Sequence, residues 1–368
     1  MEIKTKKDYQ EELIRNKKFL GAMEKLAPGT NLREGIDYIV QAGTGGLIIL
    51  GYPDNQKNLF EIGFKIESDF ISFKLYELAK MDGGIVINKD ATKILYGNTH
   101  FHPSIAIPSQ ETGTRHRVAE RMAKQTGELV IAISQKRHLV TIYLDNIRYT
   151  LKDLPELLSE AQQAMQTYEN YKKKLHEKLY ELSVMEFKDM TTFQDVTTTI
   201  ARYMRLKLVE KEVERYILEL GIEGRLLRMR LREQVSETIE SSFLAMDFCA
   251  ANKLSKLNKI EEALDFLAYS GQLNNVSIAE ALGFEITLKQ LEDPISSRAY
   301  RIMSKIQKLS PQIIDNIVKT FSSLPKLLSA SIDELTKIEG IGDVRATMIK
   351  EGLQKLKNQY LFDTHRGY

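Results

Sequence analysis

Five short apolar runs, 46–50, 84–88, 93–96, 129–133 and 139–144, fall within the first 150 residues, and nothing like them recurs afterwards. Each is rich in Ile, Val and Leu and short enough to cross a sheet once, so each reads as a buried strand. Helical spacing fills the gaps between them: 9–26, then a segment from Asn31 as N-cap with Leu32, Ile36, Ile39 and Val40 as its inner stripe, then 70–80 and 112–126. Strands interleaved with helices require a layered α/β domain with a mixed sheet, placed at 1–153.

After this the period changes. Leu154, Ala161, Tyr168, Leu175 and Leu182 recur every seven residues, with Leu158, Met165 and Leu179 four residues after three of them. Lys172 interrupts the second row. Such a seam predicts a long helix packed on the chain's own helices, an intermolecular coiled coil being the alternative. Residues 154–290 therefore read as an all-helical linker, broken at 221–224. The last stretch, 291–368, is helical too, and from Ile295 onward it carries 12 Lys/Arg against 7 Asp/Glu. That is a net charge of +5 in a chain whose total is +2, so its basic end is the expected contact for a polyanion. The overall balance excludes a wholly basic nucleic-acid wrapper and an acidic disordered tail protein. Cys249 is the single cysteine, which excludes an intramolecular disulfide and a cysteine-built zinc site. No run approaches a membrane span, and the N-terminal residues carry no signal-peptide core; the expectation is a cytoplasmic protein.

The densest polar cluster is 111–117, ETGTRHR, which runs into a helix. Val118, Ala119, Met122 and Ala123 would face the core, and Arg117, Glu120, Arg121 and Lys124 the other side. Arg115, His116 and Arg117 then sit in the first turn, beside unpaired N–H groups. Cations there oppose the helix dipole, so either they are plain solvated surface or they serve a bound phosphate. Asp82-Gly83-Gly84 directly precedes a strand. It reads as an ordinary turn or as a carboxylate placed to hold a divalent metal or polarise a hydroxyl. Ser134 ends a strand before two cations and is either polar loop or phosphate contact. His100 and His102 flank Phe101 without a metal-ligand spacing. In the basic end, Gly340 and Gly342 join two helical patterns. Their backbone N–H groups would meet DNA phosphates, with Arg345 and Lys350 on the following helix.

Together these motifs resemble the DisA-type diadenylate cyclases over essentially the whole chain: the Asp82-Gly83 element, 111–117, 119–121 (AER), 123–127 (AKQTG), 130–134 (VIAIS), 219–226 and 338–346. The resemblance implies an N-terminal cyclase that condenses two ATP into cyclic di-AMP and two pyrophosphates with Mg²⁺ or Mn²⁺. It further implies face-to-face cyclase domains within a homo-octamer, and a helix-hairpin-helix domain that binds branched DNA. Asp82 would assist the 3′-hydroxyl and the metal, and Gly83 and Phe101 would line the nucleotide pocket. Thr114, Arg115, His116 and Arg117 would hold the phosphates, with Val118 at their edge, and Ser134 would touch the triphosphate. Gly84 stands where the family has alanine, implying looser packing at the nucleotide; Val118 stands where it has threonine, and Ala299 where it has glycine. A non-enzymatic ATP-sensing DNA-binding protein and an assembly scaffold are the competing readings.

Overall fold

A computed structural model describes residues 5–236 and 242–362. The first four residues, read above as lacking a signal-peptide core, and Asp363 and Arg366 of the charge count lie outside the described residues. The chain divides into two compact units, 11–162 with 214–228, and 163–213 with 229–368 and the N-terminal ten residues.

The first unit is an α/β layer structure. Its eight strands are β1 (Gly46–Leu50), β2 (Phe60–Glu61), β3 (Phe64–Asp69), β4 (Gly84–Ile87), β5 (Lys93–Phe101), β6 (Leu129–Ile133), β7 (Val140–Leu144) and β8 (Ile147–Thr150). They form one mixed sheet in the order β2-β5-β4-β1-β6-β7-β8, with β3 on β5. Side chains alternate between its faces because a strand has a period of two. One set, including Ile48, Leu50, Ile85, Ile131 and Ile142, packs under α1 (Lys6–Leu26), α2 (Asn31–Gln41) and α3 (Ser72–Leu78). The other, including Leu47, Ile49, Val86, Val130 and Ala132, packs under α4 (Thr114–Thr126). The five expected strands are all present. Thr30, not Asn31, caps α2: it is the extended residue, and its Oγ1 accepts the Arg33 N–H at 3.2 Å.

The β1–β4 pair is parallel, while β1–β6, β6–β7 and β4–β5 are antiparallel. Gly46 lies opposite Ile133, Ile133 opposite Val140, Thr141 opposite Thr150, and Gly84 opposite Thr99. The register therefore brings Asp82-Gly83, the end of β5, the start of β1 and Ser134 to the same end of the sheet.

The second unit is helical. Most of α5 (Leu154–Lys188), of α6 (Phe193–Leu220) and of α7 (Arg225–Ser236) belongs to it, followed by α8 (Leu244–Phe248), α9 (Leu257–Tyr269) and α10 (Asn275–Leu282). The heptad seam is internal: Tyr168, Leu175 and Leu182 are buried, and Lys172, buried among them, donates to Gln234 Oε1 at 2.7 Å. The basic end comprises α11 (Tyr300–Ser304), α12 (Pro311–Phe321), α13 (Leu324–Ser329), α14 (Ile332–Thr336) and α15 (Asp343–Phe362). Val184 and Phe187 of α5 share one core with Met303, Ile317, Leu335 and Ile349 of these helices. An ion pair is sealed in that core. Arg301, fully buried, donates to Glu186 Oε2 and, at 2.9 Å, to Ser183 Oγ. Asp247 accepts the Tyr300 and Arg301 backbone N–H groups at 2.5 and 3.0 Å. Ala299, the residue in place of the family's glycine, has φ of +82°, the left-handed region that glycine occupies without strain.

A 32-residue offset relates the two hairpins of this end: α11 starts at Tyr300 and α14 at Ile332, α12 at Pro311 and α15 at Asp343. The buried positions repeat with it, Met303 with Leu335, Ile306 with Ile338, and Ile317 with Ile349. So does the backbone, since Lys308 and Gly340 both have positive φ, +64° and +86°.

Candidate functional site

The polar end of the sheet holds a cleft of about 490 Å³ between the start of α4, the 134–139 loop and the β7–β8 edge. Gly113 precedes α4 in an extended conformation and offers no capping side chain. The first-turn N–H groups of the helix are thus left open beside the cleft that Gly113, Thr114, Arg115 and His116 line. Lys136, Arg137 and Arg148 line it as well. Four guanidinium or ammonium groups and a helix N-terminus in one cleft make a site for a polyanion.

Each wall is fixed by named contacts. Arg115 crosses from α4 to the sheet end, where its Nη1 donates to the Ile133 carbonyl at 3.3 Å. Glu111 Oε1 accepts from Tyr143 Oη at 2.8 Å and from Arg148 Nε at 2.5 Å. Tyr143 and Arg148 are direct partners across β7–β8, which is why one carboxylate reaches both. Burial pushes the Glu111 carboxyl up, but the hydrogen bonds from Arg148 and Tyr143 outweigh it and leave its pKa below the ordinary value. The Tyr143 hydroxyl is raised by burial and by Glu111. His116 Nδ1 lies 2.9 Å from Tyr143 Oη. The Tyr143 proton is committed to Glu111, so Nδ1 is the donor and the neutral ring keeps its lone pair at Nε2. Burial lowers the His116 pKa; Glu111 opposes this, and Arg148, Arg115 and Arg137 add to it.

Of the residues singled out from sequence, Thr114, Arg115, His116 and Ser134 line the cleft. Arg117 and Val118 do not: Arg117 is exposed, and Val118 packs on the apolar layer under α4. Glu120, expected among the solvated charges, is buried; it accepts from Ser109 Oγ at 2.5 Å and Gln110 N at 3.1 Å and pairs with Lys124 at 2.7 Å. It anchors the loop that leads into α4.

Asp82 is exposed at the same sheet end, before β4. With only β1 between β4 and β6, it stands about two strand spacings, ~10 Å, from the Ser134 strand. Gly83 has φ of +87°, and a Cβ there would lie 2.9 Å from the Asn98 carbonyl carbon, so the turn needs glycine twice over. Phe101 is buried against Phe60 with ring centroids 5.6 Å apart. A Cβ on Gly84 would meet its ring at 2.4 Å. The space left by the missing methyl is therefore filled by Phe101, not left loose. His102 pairs with Glu61 at 2.9 Å, and among the described residues no three His, Cys, Asp or Glu gather as a metal cage.

In the helical unit Gly340 and Gly342 are exposed, and Arg345 Nη1 donates to the Gly340 carbonyl at 2.7 Å. Lys350 donates to the Leu328 and Ala330 carbonyls at 2.8 and 2.5 Å, which ties down the end of α13. Sequence reasoning missed Tyr143, Glu111 and Arg148 as a connected set, because their meeting depends on strand pairing.

Fold and cleft define an α/β nucleotide-binding domain joined to a helical linker and a tandem helix-hairpin-helix. Residues 33–147 match the DisA bacterial checkpoint controller nucleotide-binding (DAC) family, 151–291 the DisA bacterial checkpoint controller linker region, and 300–355 the SAM-like helix-hairpin-helix tandem. The DNA integrity scanning protein DisA of Acetivibrio thermocellus is 42% identical over 94% of this chain and 96% of its own length. Those of Clostridium botulinum strain Loch Maree and Bacillus subtilis strain 168 are 41% and 39% identical, over 95% and 93% of this chain and 98% and 94% of their own. The chain belongs to the DisA family of DNA integrity scanning proteins. Among its described residues, no helix is long and apolar enough to cross a membrane.

Proposed function

We propose that the protein is a diadenylate cyclase that joins two ATP molecules into cyclic di-AMP and couples this to DNA binding at its helix-hairpin-helix end. The observation that carries the reading is the cleft: an uncapped helix N-terminus and the cations Arg115, Lys136, Arg137 and Arg148 converge at the sheet end that also carries Asp82. In the reaction each 3′-oxygen bonds to the α-phosphorus of the other ATP, the bond to pyrophosphate breaks, and the hydroxyl proton is lost.

The arginines and the α4 N–H groups stabilise the charge that builds on the leaving pyrophosphate. His116, held by Tyr143, keeps a fixed orientation beside them. Thr114 and Ser134 supply hydroxyls to phosphate oxygens. Asp82, exposed at this end of the sheet, is the residue that would hold Mg²⁺ or Mn²⁺, hard cations that a single carboxylate can help to bind beside a nucleotide. Such an ion would supply further positive charge to the phosphates. With one triphosphate in each cleft, ring closure needs two copies facing each other, and the resemblance to the DisA-type cyclases implies that such pairs assemble as a homo-octamer.

At the other end, Gly340, Gly342 and Arg345 offer backbone and charge to DNA phosphates without reading bases, so binding should follow DNA shape more than sequence, and the resemblance implies that the preferred shape is branched. Incubation with ATP and Mn²⁺ followed by mass analysis tests the reading. Cyclic di-AMP with matching pyrophosphate is the expected result, and ATP binding without either product would replace the cyclase with an ATP sensor.

A further inference from the structure

Arg115 lies against a backbone position that no motif marked. Gly45 sits immediately before β1, and a Cβ built on it would fall 2.0 Å from Arg115 Nη1, 2.7 Å from Cζ and 3.0 Å from Nη2. All three atoms belong to the guanidinium, so its Nη1 end fills the space where a side chain on Gly45 would begin. Its other fixed contact, the Ile133 carbonyl at 3.3 Å, is on the neighbouring strand, where Ile133 pairs with Gly46. The guanidinium thus rests across the ends of β1 and β6, aimed from there into the cleft.

Gly45 is not among the residues with positive φ, so its backbone conformation is one that alanine also adopts. Glycine is needed there for space alone. The atoms in the way are the far end of a flexible side chain, so a methyl would move Arg115 and leave the strand in place. A van der Waals contact of 3.4 Å in place of 2.0 Å displaces Nη1 by more than 1 Å from its present position. A shift of that size removes a charge-assisted hydrogen bond aimed at a fixed phosphate position.

We propose that Gly45 is the positioning residue for the phosphate-binding arginine: the place of its missing side chain is the seat in which the Arg115 guanidinium is held toward a nucleoside triphosphate. This rests on the reading of the cleft as a triphosphate site.

The test compares wild type with Gly45→Ala, Arg115→Ala and the double variant in the full-length protein. Calorimetric titration with a non-hydrolysable ATP analogue and Mg²⁺, and separately with AMP, reads binding; thermal melting reads folding. Loss of one charge-assisted hydrogen bond predicts that G45A weakens analogue binding about 10- to 100-fold and AMP binding far less. R115A alone should have a comparable effect, and adding G45A to it should change nothing further. Unchanged analogue affinity in G45A, with R115A impaired, would overturn the seat and leave the cleft reading intact. A G45A penalty of the same size in the R115A background would overturn it too, because the effect would not pass through Arg115. If G45A melts early, the double variant decides: recovery of the melt in G45A/R115A supports the collision, and none refutes it. An R115A variant with wild-type affinity for both ligands would remove the cleft reading and this inference together.

Discussion

Replacing Arg301 with methionine tests whether the fully buried ion pair holds the basic end onto the linker. Arg301 and Glu186 side chains are both inaccessible to solvent, and Asp247 is buried beside them. Burial, then the charge of Glu186, pushes the Asp247 carboxyl up to about 7, and Arg301 opposes the rise. The Glu186 carboxyl is likewise raised by burial against the pull of Arg301. The variant therefore leaves two carboxylates in the core without their cation, and orphaning a buried charge costs about 3–5 kcal/mol.

With a urea slope of about 3 kcal/mol/M, a loss of about 4 kcal/mol moves the midpoint of the helical unit down by somewhat more than 1 M. The chain has 16 tyrosines and no tryptophan, so far-UV circular dichroism and tyrosine fluorescence are the probes. The pH dependence has a definite sign. A carboxyl whose folded pKa exceeds its unfolded value destabilises increasingly as pH rises above the unfolded value. The deficit of R301M should therefore be larger at pH 8 than at pH 5. Replacing both partners by methionine should recover most of the loss, since an apolar pair of similar volume needs no compensation. A midpoint within about 0.3 M of wild type for R301M, or a double variant no better than it, would refute the reasoning.

Glu111→Gln should lower the His116 pKa still further, because Glu111 raises it while Arg148, Arg115 and Arg137 lower it; imidazole shifts in an NMR titration would show it, and a rise would contradict the network. In the wild type the same depressed pKa means that His116 is neutral when folded. Its contribution to stability should be whole above about pH 6.5 and decline as pH falls through the folded pKa, a decline that His116→Gln should abolish in denaturation measured across pH. Gly84→Ala should push Phe101 off its seat and lower ATP turnover; turnover equal to wild type would show that the ring position does not matter. Gly340→Val should weaken binding to a four-way junction and flatten its salt dependence while leaving ATP affinity unchanged, as read by fluorescence anisotropy across a salt series.

What the sequence disclosed follows the range of the interactions involved. Strands of uninterrupted apolar residues such as Ile48–Leu50 and Leu129–Ile133 were plain, because burial on both faces writes itself as an apolar run. β3 and β8 were not, since edge strands keep polar residues and β3 is mostly exposed. β5 was expected to stop at Tyr96; Gly97 and Asn98, the latter with φ of +48°, break its apolar pattern at an irregularity without ending the strand. The residues that line the cleft from α4 were legible because they are contiguous. Arg148 in the cleft wall was not, nor were Tyr143 and Gly45, which touch the cleft residues Glu111, His116 and Arg115, because strand register sets where all three fall. Glu120 looked like surface by helical spacing, and only the loop it grips explains its burial. Deleting 295–368 would not cleanly separate the two ends, because Val184, Phe187 and Glu186 pack against that segment and would be laid bare.

The 32-residue repeat has a consequence for how this segment can change over time. Its two copies share one geometry but face opposite demands. Tyr300 and Arg301 of the first copy are buried against the linker, whereas their counterparts Ile332 and Asp333 are exposed. The first hairpin holds Lys308 in a backbone region that costs a side chain about 1 kcal/mol, and Ser310 already takes the Ile313 N–H that a ligand would want. The second has glycine at both corresponding places. One duplicate has thus become an internal clamp whose substitutions are felt throughout the core, and the other remains a free outer face. Drift should accumulate at the exposed positions of the outer copy, such as Ile332, Asp333 and Val344, where a lineage can retune contacts with a ligand without endangering the fold, while 299–306 stays locked.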